Sequence, residues 1–183
     1  MHLSDIVKSM TSRKSQTQVA VLGALAVEDA TGYGVRQSIT ETLGHFWHES
    51  FGQIYPTLAT LEADGLVGRT PTGQFSITPA GIERLTELLS EPVEPTRPRN
   101  GLLLRLFFAS HLPVGMARQL VEDARDQARI ALAEYGAIEA EVAAESHPDA
   151  GHWLATVRYG IHHAQATLDW AEETLARLPD ADR

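Results

Sequence analysis

Gln53, Thr57 and Thr60 lie within ESFGQIYPTLATLEADGLVGRT, residues 49–70, at spacings that put them on one side of a helix. The chemistry open to such a polar stripe is hydrogen bonding. No nucleophile elbow, P-loop or dinucleotide fingerprint occurs in the chain, and the glycines of GALAVEDATGYG run along a helix and a turn instead of following a strand. His45, His48 and Glu49 carry metal-ligating groups, but their spacing is not that of the H-E-x-x-H helix, and Trp47 between them reads as core. His147, His152, His162 and His163 come without carboxylates at a diagnostic spacing. Lack of cysteine removes disulfides, thiolate zinc sites and cysteine nucleophiles. The expectation is a binding protein with no enzymatic activity, no cofactor and no metal.

The stripe depends on the helix that carries it. Ser50 and Gln53 have capping-box spacing: the serine hydroxyl accepts from the Gln53 N–H and the glutamine side chain returns to the Ser50 N–H, so the helix starts at Phe51. Pro56 falls early in it, where its missing N–H would have bonded to the Gly52 carbonyl. Unrelieved, an interior proline costs about 3 kcal/mol, and Gly52 gives the backbone room to adjust. Ile54, Leu58, Leu61 and Leu66 face inward, and Asp64-Gly65 closes the helix.

Upstream, TQVAVLGALAVEDA (17–30) reads as a short buried helix and GYGVRQSITETLG (32–44) as a second, with Val35, Ile39 and Leu43 stacked on one face. Downstream, LVGRT and QFSIT alternate as two short strands around a turn from Pro71 to Gly73. Thr78 caps a further helix with Pro79 at its first position, and Ile82, Leu85 and Leu89 are expected to form its buried stripe. Three helices, a hairpin and a helix, in that order, spell a winged helix-turn-helix.

Pro92, Pro95 and Pro98 break the chain after this unit. The expected division is a winged helix-turn-helix domain at 1–90, a Pro-rich connector at 91–100 and a helical domain at 101–183. In the last of these, Ala117, Leu120, Ala124, Ala128, Ala131, Tyr135, Ile138 and Val142 recur at spacings of three and four. So do Leu154, Val157, Ile161, Ala164, Leu168, Ala171, Leu175 and Leu178. ESHPDAGHW (145–153) separates the two seams as a loop that turns the chain into an antiparallel pair. With LLLRLFF included, the apolar surface exceeds what one thin hairpin buries alone, so a homodimer is expected, with the second seam as its interface. The expected fold class is mainly α: an N-terminal winged helix-turn-helix with a two-stranded β-wing, plus a C-terminal antiparallel helical dimerisation domain.

Composition allows this and constrains the partner. At 183 residues, 43% hydrophobic and 21% charged, the chain has the make-up of a folded protein of one or two small domains. GLLLRLFFASHL, the most apolar stretch, is interrupted by Arg105 and is far shorter than the roughly 20 residues of a membrane span. The first fifteen residues lack an apolar run of signal-peptide length. A cytoplasmic protein without a membrane partner is expected. The net charge of −9 opposes a nucleic-acid-binding reading based on overall charge. Residues 1–90 hold six Lys/Arg against nine Asp/Glu, and residues 91–183 hold nine against fifteen. Any DNA contact must come from a local patch.

Three strings point to a family. GYGVRQSI, the run W-x-x-S-x-G-Q-I-Y-P-x-L-x-x-L-E-x-x-G-L-V from Trp47 to Val67, and FSITPAG together resemble the PadR family of bacterial transcriptional regulators. LLLRLFFASHL followed by two long helices is similar to the subfamily with a full-length helical C-terminal domain, as in virulence activator regulators. The resemblance covers nearly the whole chain after about residue 17.

It implies that the third helix lies in the major groove of double-stranded DNA. The capped N-terminus there offers unpaired N–H groups and a positive dipole end to phosphate, and Gly52 permits close approach. Tyr55 would donate its hydroxyl to a phosphate, while Gln53 and Thr57 reach base edges or backbone and Pro56 belongs to the turn shaped for the duplex. Arg36 and Arg69 would add phosphate contacts. The chain departs from its relatives at Gly34, where an acidic residue is usual, and at Gln74-Phe75, where a basic residue and a tyrosine are common. Arg13 and Lys14, before the first buried helix, would replace part of the charge missing from the wing. The DNA-binding set is thus Arg13, Lys14, Arg36, Ser50, Gly52, Gln53, Tyr55, Pro56, Thr57 and Arg69.

The resemblance further implies a small aromatic effector, with Phe107, Phe108, Trp153, Tyr159 and Trp170 as pocket candidates. The functional expectation is a homodimeric, sequence-specific transcriptional regulator, in the repressor sense, on a palindromic operator. The alternative is a winged-helix protein-interaction module without DNA binding.

Overall fold

Nothing in residues 3–22 breaks a helix, since the run contains neither glycine nor proline. In the computed structural model, which describes residues 3–44, 47, 51–93 and 99–178, with the side chains of 3–14 and Phe51 excepted, helix α1 accordingly spans Leu3–Val27. It begins well before residue 17, because a polar run without apolar periodicity is still free to propagate a helix already formed. It also ends earlier than residue 30. Ala30 is drawn into an antiparallel bridge with Phe75, its N–H donating to the Phe75 carbonyl at 3.1 Å and its carbonyl accepting from the Phe75 N–H at 2.8 Å.

Helix α2, Gly32–Leu43, starts where the Thr31 hydroxyl accepts from the Gly34 N–H at 3.0 Å. Helix α3, Phe51–Ala63, ends in a Schellman motif. There the Leu66 N–H donates to the Leu61 carbonyl at 2.9 Å, the Gly65 N–H donates to the Glu62 carbonyl at 3.1 Å, and Gly65 takes φ +72°. The reversal leads directly into strand β1, Val67–Arg69, which pairs antiparallel with β2, Phe75–Ile77, in the register Val67 opposite Ile77 and Arg69 opposite Phe75. The Gly73 N–H closes the turn on the Thr70 carbonyl at 2.9 Å, with φ +83° at Gly73.

Helix α4, Pro79–Ser90, is capped by Thr78, whose hydroxyl accepts from the Gly81 N–H at 3.1 Å and donates to the Leu66 carbonyl at 3.0 Å. Gly81 lies so close to that carbonyl that a Cβ could not fit. This contact rotates α4 relative to the expected stripe. Gly81 and Leu88 are buried and Leu85 packs on the core, whereas Ile82 is 52% and Leu89 65% exposed. The core of this unit joins Val21, Leu22 and Leu25 of α1 to Val35 and Ile39 of α2, Ile54, Leu58 and Leu61 of α3, and Val67 and Phe75 of the hairpin.

The chain separates into two compact units, residues 1–96 and 97–183. In the second, Asn100 caps helix α5, Gly101–Phe107, its side-chain oxygen accepting from the Leu102 and Leu103 N–H groups at 3.0 Å. A 3₁₀ turn at Ala109–His111 precedes α6, Met116–Ala143, which packs antiparallel on α7, Ala150–Arg177. Small residues bring the two long helices together: Ala128 of α6 and Gly160, Ala164 and Ala171 of α7 are buried, and Gly160 lies directly against the Tyr135 ring. Salt bridges from Arg129 to Glu172 and from Arg158 to Glu139, each 2.8 Å, flank the seam. The fold is mainly α, a winged helix-turn-helix with a two-stranded wing followed by an antiparallel helical unit.

Candidate nucleic-acid interface

Helix α3 is anchored by one face and leaves the other open. Ile54, Leu58 and Leu61 are almost completely buried, fixing the helix on the core. That fixes the opposite surface, where Gly52, Gln53, Tyr55 and Pro56 are exposed and Thr57 half-buried. Among the described side chains of α3, none exposed at its N-terminal half is charged. Pro56 sits inside the helix and has no N–H to donate to the carbonyl of the exposed Gly52. The Thr60 hydroxyl donates to the Pro56 carbonyl at 2.9 Å, so Thr60 is occupied within the helix.

The space around Gly52 is open: among the described residues a Cβ there would meet nothing within 4 Å, and its φ is not positive. Helix propensity disfavours the residue by about 1 kcal/mol relative to alanine. What remains is a stretch of helix surface without a side chain, against which another molecule can lie closely.

Tyr55 is held in place by a different glycine. Its ring lies over Gly32, the first residue of α2, where an added Cβ would come within 2.9 Å of Cε1. Tyr55 is 49% exposed. Arg36, on α2, is half-buried, and the Thr40 hydroxyl donates to its carbonyl at 2.9 Å.

The wing arginine is already engaged. Arg69 donates through Nε to Glu62 Oε1 at 2.7 Å and through Nη2 to Glu62 Oε2 at 3.2 Å, while Nη1 donates to the Gly73 carbonyl at 3.0 Å. Its guanidinium also lies 3.5 Å from the centroid of the Phe75 ring. The hydrogen bond from Arg69 holds the Glu62 carboxyl below the usual carboxylate range, and the same bond raises Arg69. Arg69 is thus not the open phosphate cation expected of it. Gln74 is likewise occupied, its amide donating to the Asp29 carbonyl at 3.4 Å.

Glu62 and Gly32 were not in the expected set. The signal for Glu62 is indirect: the Gly65 reversal folds β1 back beside the end of α3, so residues with no common period in sequence become neighbours. Ser50 lies outside the described residues, as do His45, His48 and Glu49, and so do the side chains of Arg13 and Lys14. Among the described residues no group of three or more His, Asp or Glu could hold a metal ion, and no helix is long and apolar enough to cross a membrane.

In the second unit, two of the proposed interface positions need correction. Ala164 and Ala171 are buried against α6 within one chain and offer nothing to a second copy. Leu154, Val157, Ile161, Leu168 and Leu175 are half-buried along the same helix, and Leu178 is half-buried just past its end. The effector candidates do not gather. Along α7 at 1.5 Å per residue, roughly 25 Å separates Trp153 from Trp170. Trp153 stacks on His147 at 4.5 Å and Tyr159 on His163 at 6.4 Å, whereas Phe107, 82% exposed, meets Phe108 edge-on at 5.1 Å. These five aromatics line no single pocket within the chain.

Residues 21–87 match the PadR-like family of transcriptional regulators, and residues 98–179 match the virulence activator alpha C-terminal family. The chain is 27% identical over 175 residues to the negative transcriptional regulator PadR of Bacillus subtilis, covering 87% of this chain and 95% of that protein. The structure of Bacillus subtilis PadR in complex with operator DNA superposes with a TM-score of 0.72 at 25% identity, and that of the complex with p-coumaric acid with 0.73 at 27%. Both comparisons cover 87% of this chain and 96% of the other. The chain thus carries a domain of the PadR-like transcriptional regulator family followed by a virulence activator alpha C-terminal domain.

Proposed function

We propose that this regulator binds a palindromic operator as a homodimer, in the repressor sense, with the exposed face of α3 in the major groove. The observation that carries the reading is the exposed surface made by Gly52, Gln53, Tyr55 and Pro56, with open space at Gly52 among the described residues. Gln53 would reach base edges, Tyr55 a phosphate and Thr57 either. Arg36, and Arg13 and Lys14 at the start of the chain, would supply the phosphate-neutralising charge. The relative named as a negative regulator and its complex with operator DNA support this role.

Dimerisation belongs to residues 101–183, through the half-buried apolar positions of α7 and the exposed apolar side chains of α5. Two copies would present two α3 helices about one DNA turn, roughly 34 Å, apart. The complex of the relative with p-coumaric acid supports a small aromatic effector. Because the aromatic candidates are spread along the second unit, such a molecule would contact only some of them. Selection of genomic DNA by the purified protein, followed by sequencing, tests the reading, and recovery of a palindrome is the expected result.

The uncharged surface of α3 favours a second reading, a winged-helix module that binds protein. A stoichiometric protein partner recovered without DNA, together with failure to select any genomic fragment, would establish it.

A further inference from the structure

We infer that Glu62 is a positioning residue that ties the wing to the end of α3 and withholds the charge of Arg69 from the DNA backbone; this role rests on the DNA-binding reading above. Every nitrogen of the Arg69 guanidinium has a partner in the chain: Nε and Nη2 donate to the two Glu62 oxygens, and Nη1 donates to the Gly73 carbonyl at the turn of the hairpin. The Phe75 ring covers one side of the group at 3.5 Å. Glu62 is the second-last residue of α3 and Arg69 the last of β1, so this one side chain bridges helix, strand and turn.

Bidentate pairing fixes both distance and angle, which a single point contact would not. The Schellman reversal at Gly65 brings the two residues together, and the positive φ of Gly73 turns its carbonyl toward Nη1. The wing is therefore presented in a set orientation with its guanidinium balanced by a carboxylate. A wing arranged in this way adds shape to the interface and little counterion release. It suppresses sequence-independent attraction, leaving discrimination to the uncharged α3 surface.

Glu62→Gln and Arg69→Gln, alone and together, test this by binding titrations against salt, using a genomic fragment selected by the wild-type protein and a random-sequence duplex. Glu62→Gln should tighten binding to the random duplex and steepen the log–log salt slope by about 0.9 per subunit engaged. Arg69→Gln alone should leave the slope unchanged, and the double variant should match it. If Arg69→Gln flattens the wild-type slope, the guanidinium already neutralises phosphate and the inference is overturned. If Glu62→Gln only weakens binding at constant slope, Glu62 merely supports the fold and the inference also fails. Wild-type protein that binds neither duplex at low salt would instead overturn the DNA-binding reading itself.

Discussion

The ring of Tyr55 lies on the backbone of Gly32, so α2 contributes to the α3 surface by having no side chain at its first residue. A methyl group at that position would come within 2.9 Å of the tyrosine Cε1. Tyr55 is half exposed and its ring can swing away. Gly32→Ala should therefore lower DNA affinity by tenfold or more, while thermal unfolding shifts by no more than about 1 kcal/mol. Tyr55→Phe, which keeps the ring and removes the hydroxyl, should cost about 1 kcal/mol of binding, roughly fivefold, with unfolding unchanged. Titration by fluorescence anisotropy and a thermal melt of each variant decide both.

Gly52 gives the opposite separation. An added Cβ meets nothing within 4 Å among the described residues and removes a helix-disfavouring residue, so Gly52→Ala should stabilise the first unit by about 0.5–1 kcal/mol. DNA affinity should fall in the same protein. If affinity is unchanged, no backbone approaches Gly52.

Helix α4 tests the rotated packing. Leu88 is 5% exposed and Leu89 65%. Leu88→Ala should cost about 2–5 kcal/mol in chemical denaturation, and Leu89→Ala less than about 0.5 kcal/mol.

How much of this was open to sequence reading follows from which residues act locally. The cap at Thr78, the hairpin turn and the Gly65 helix end are each set by a few neighbouring residues, and pattern and turn chemistry reached them. The α4 stripe was displaced by one position because the fit of Gly81 against the Leu66 carbonyl, a tertiary contact, sets the helix rotation. The true length of α1 was hidden by a polar stretch without apolar periodicity. Glu62 escaped because its partner is reached only after the chain reverses. In the second unit both seams were visible, but Ala164 and Ala171 pack on α6 within the chain, and residue spacing cannot distinguish that use from a second copy.

The Glu62 carboxyl should titrate below the ordinary glutamate range, because the hydrogen bond from Arg69 favours its charged form. For a depressed carboxylate, the stabilisation is fully present above the unfolded pKa and is lost as pH falls through the folded one. Carboxyl carbon NMR should show this low midpoint, and Arg69→Gln should return it to the usual range. Both groups are substantially exposed, so the effect on global stability should be small.

Gly160 of α7 lies directly against the Tyr135 ring of α6, and a Cβ at 160 would overlap the ring. Gly160→Ala should destabilise the second unit by about 1–3 kcal/mol. A calorimetric scan in which this variant unfolds like the wild type would contradict the packing.

The central claim is that the exposed N-terminal surface of α3 meets a DNA groove, and hydroxyl-radical footprinting on a selected genomic fragment tests it most directly. Two protected patches about one helical turn apart on one side of the duplex are expected, both lost with Tyr55→Ala and Gln53→Ala. Uniform or absent protection at low salt, or a footprint that these substitutions leave intact, would contradict the account.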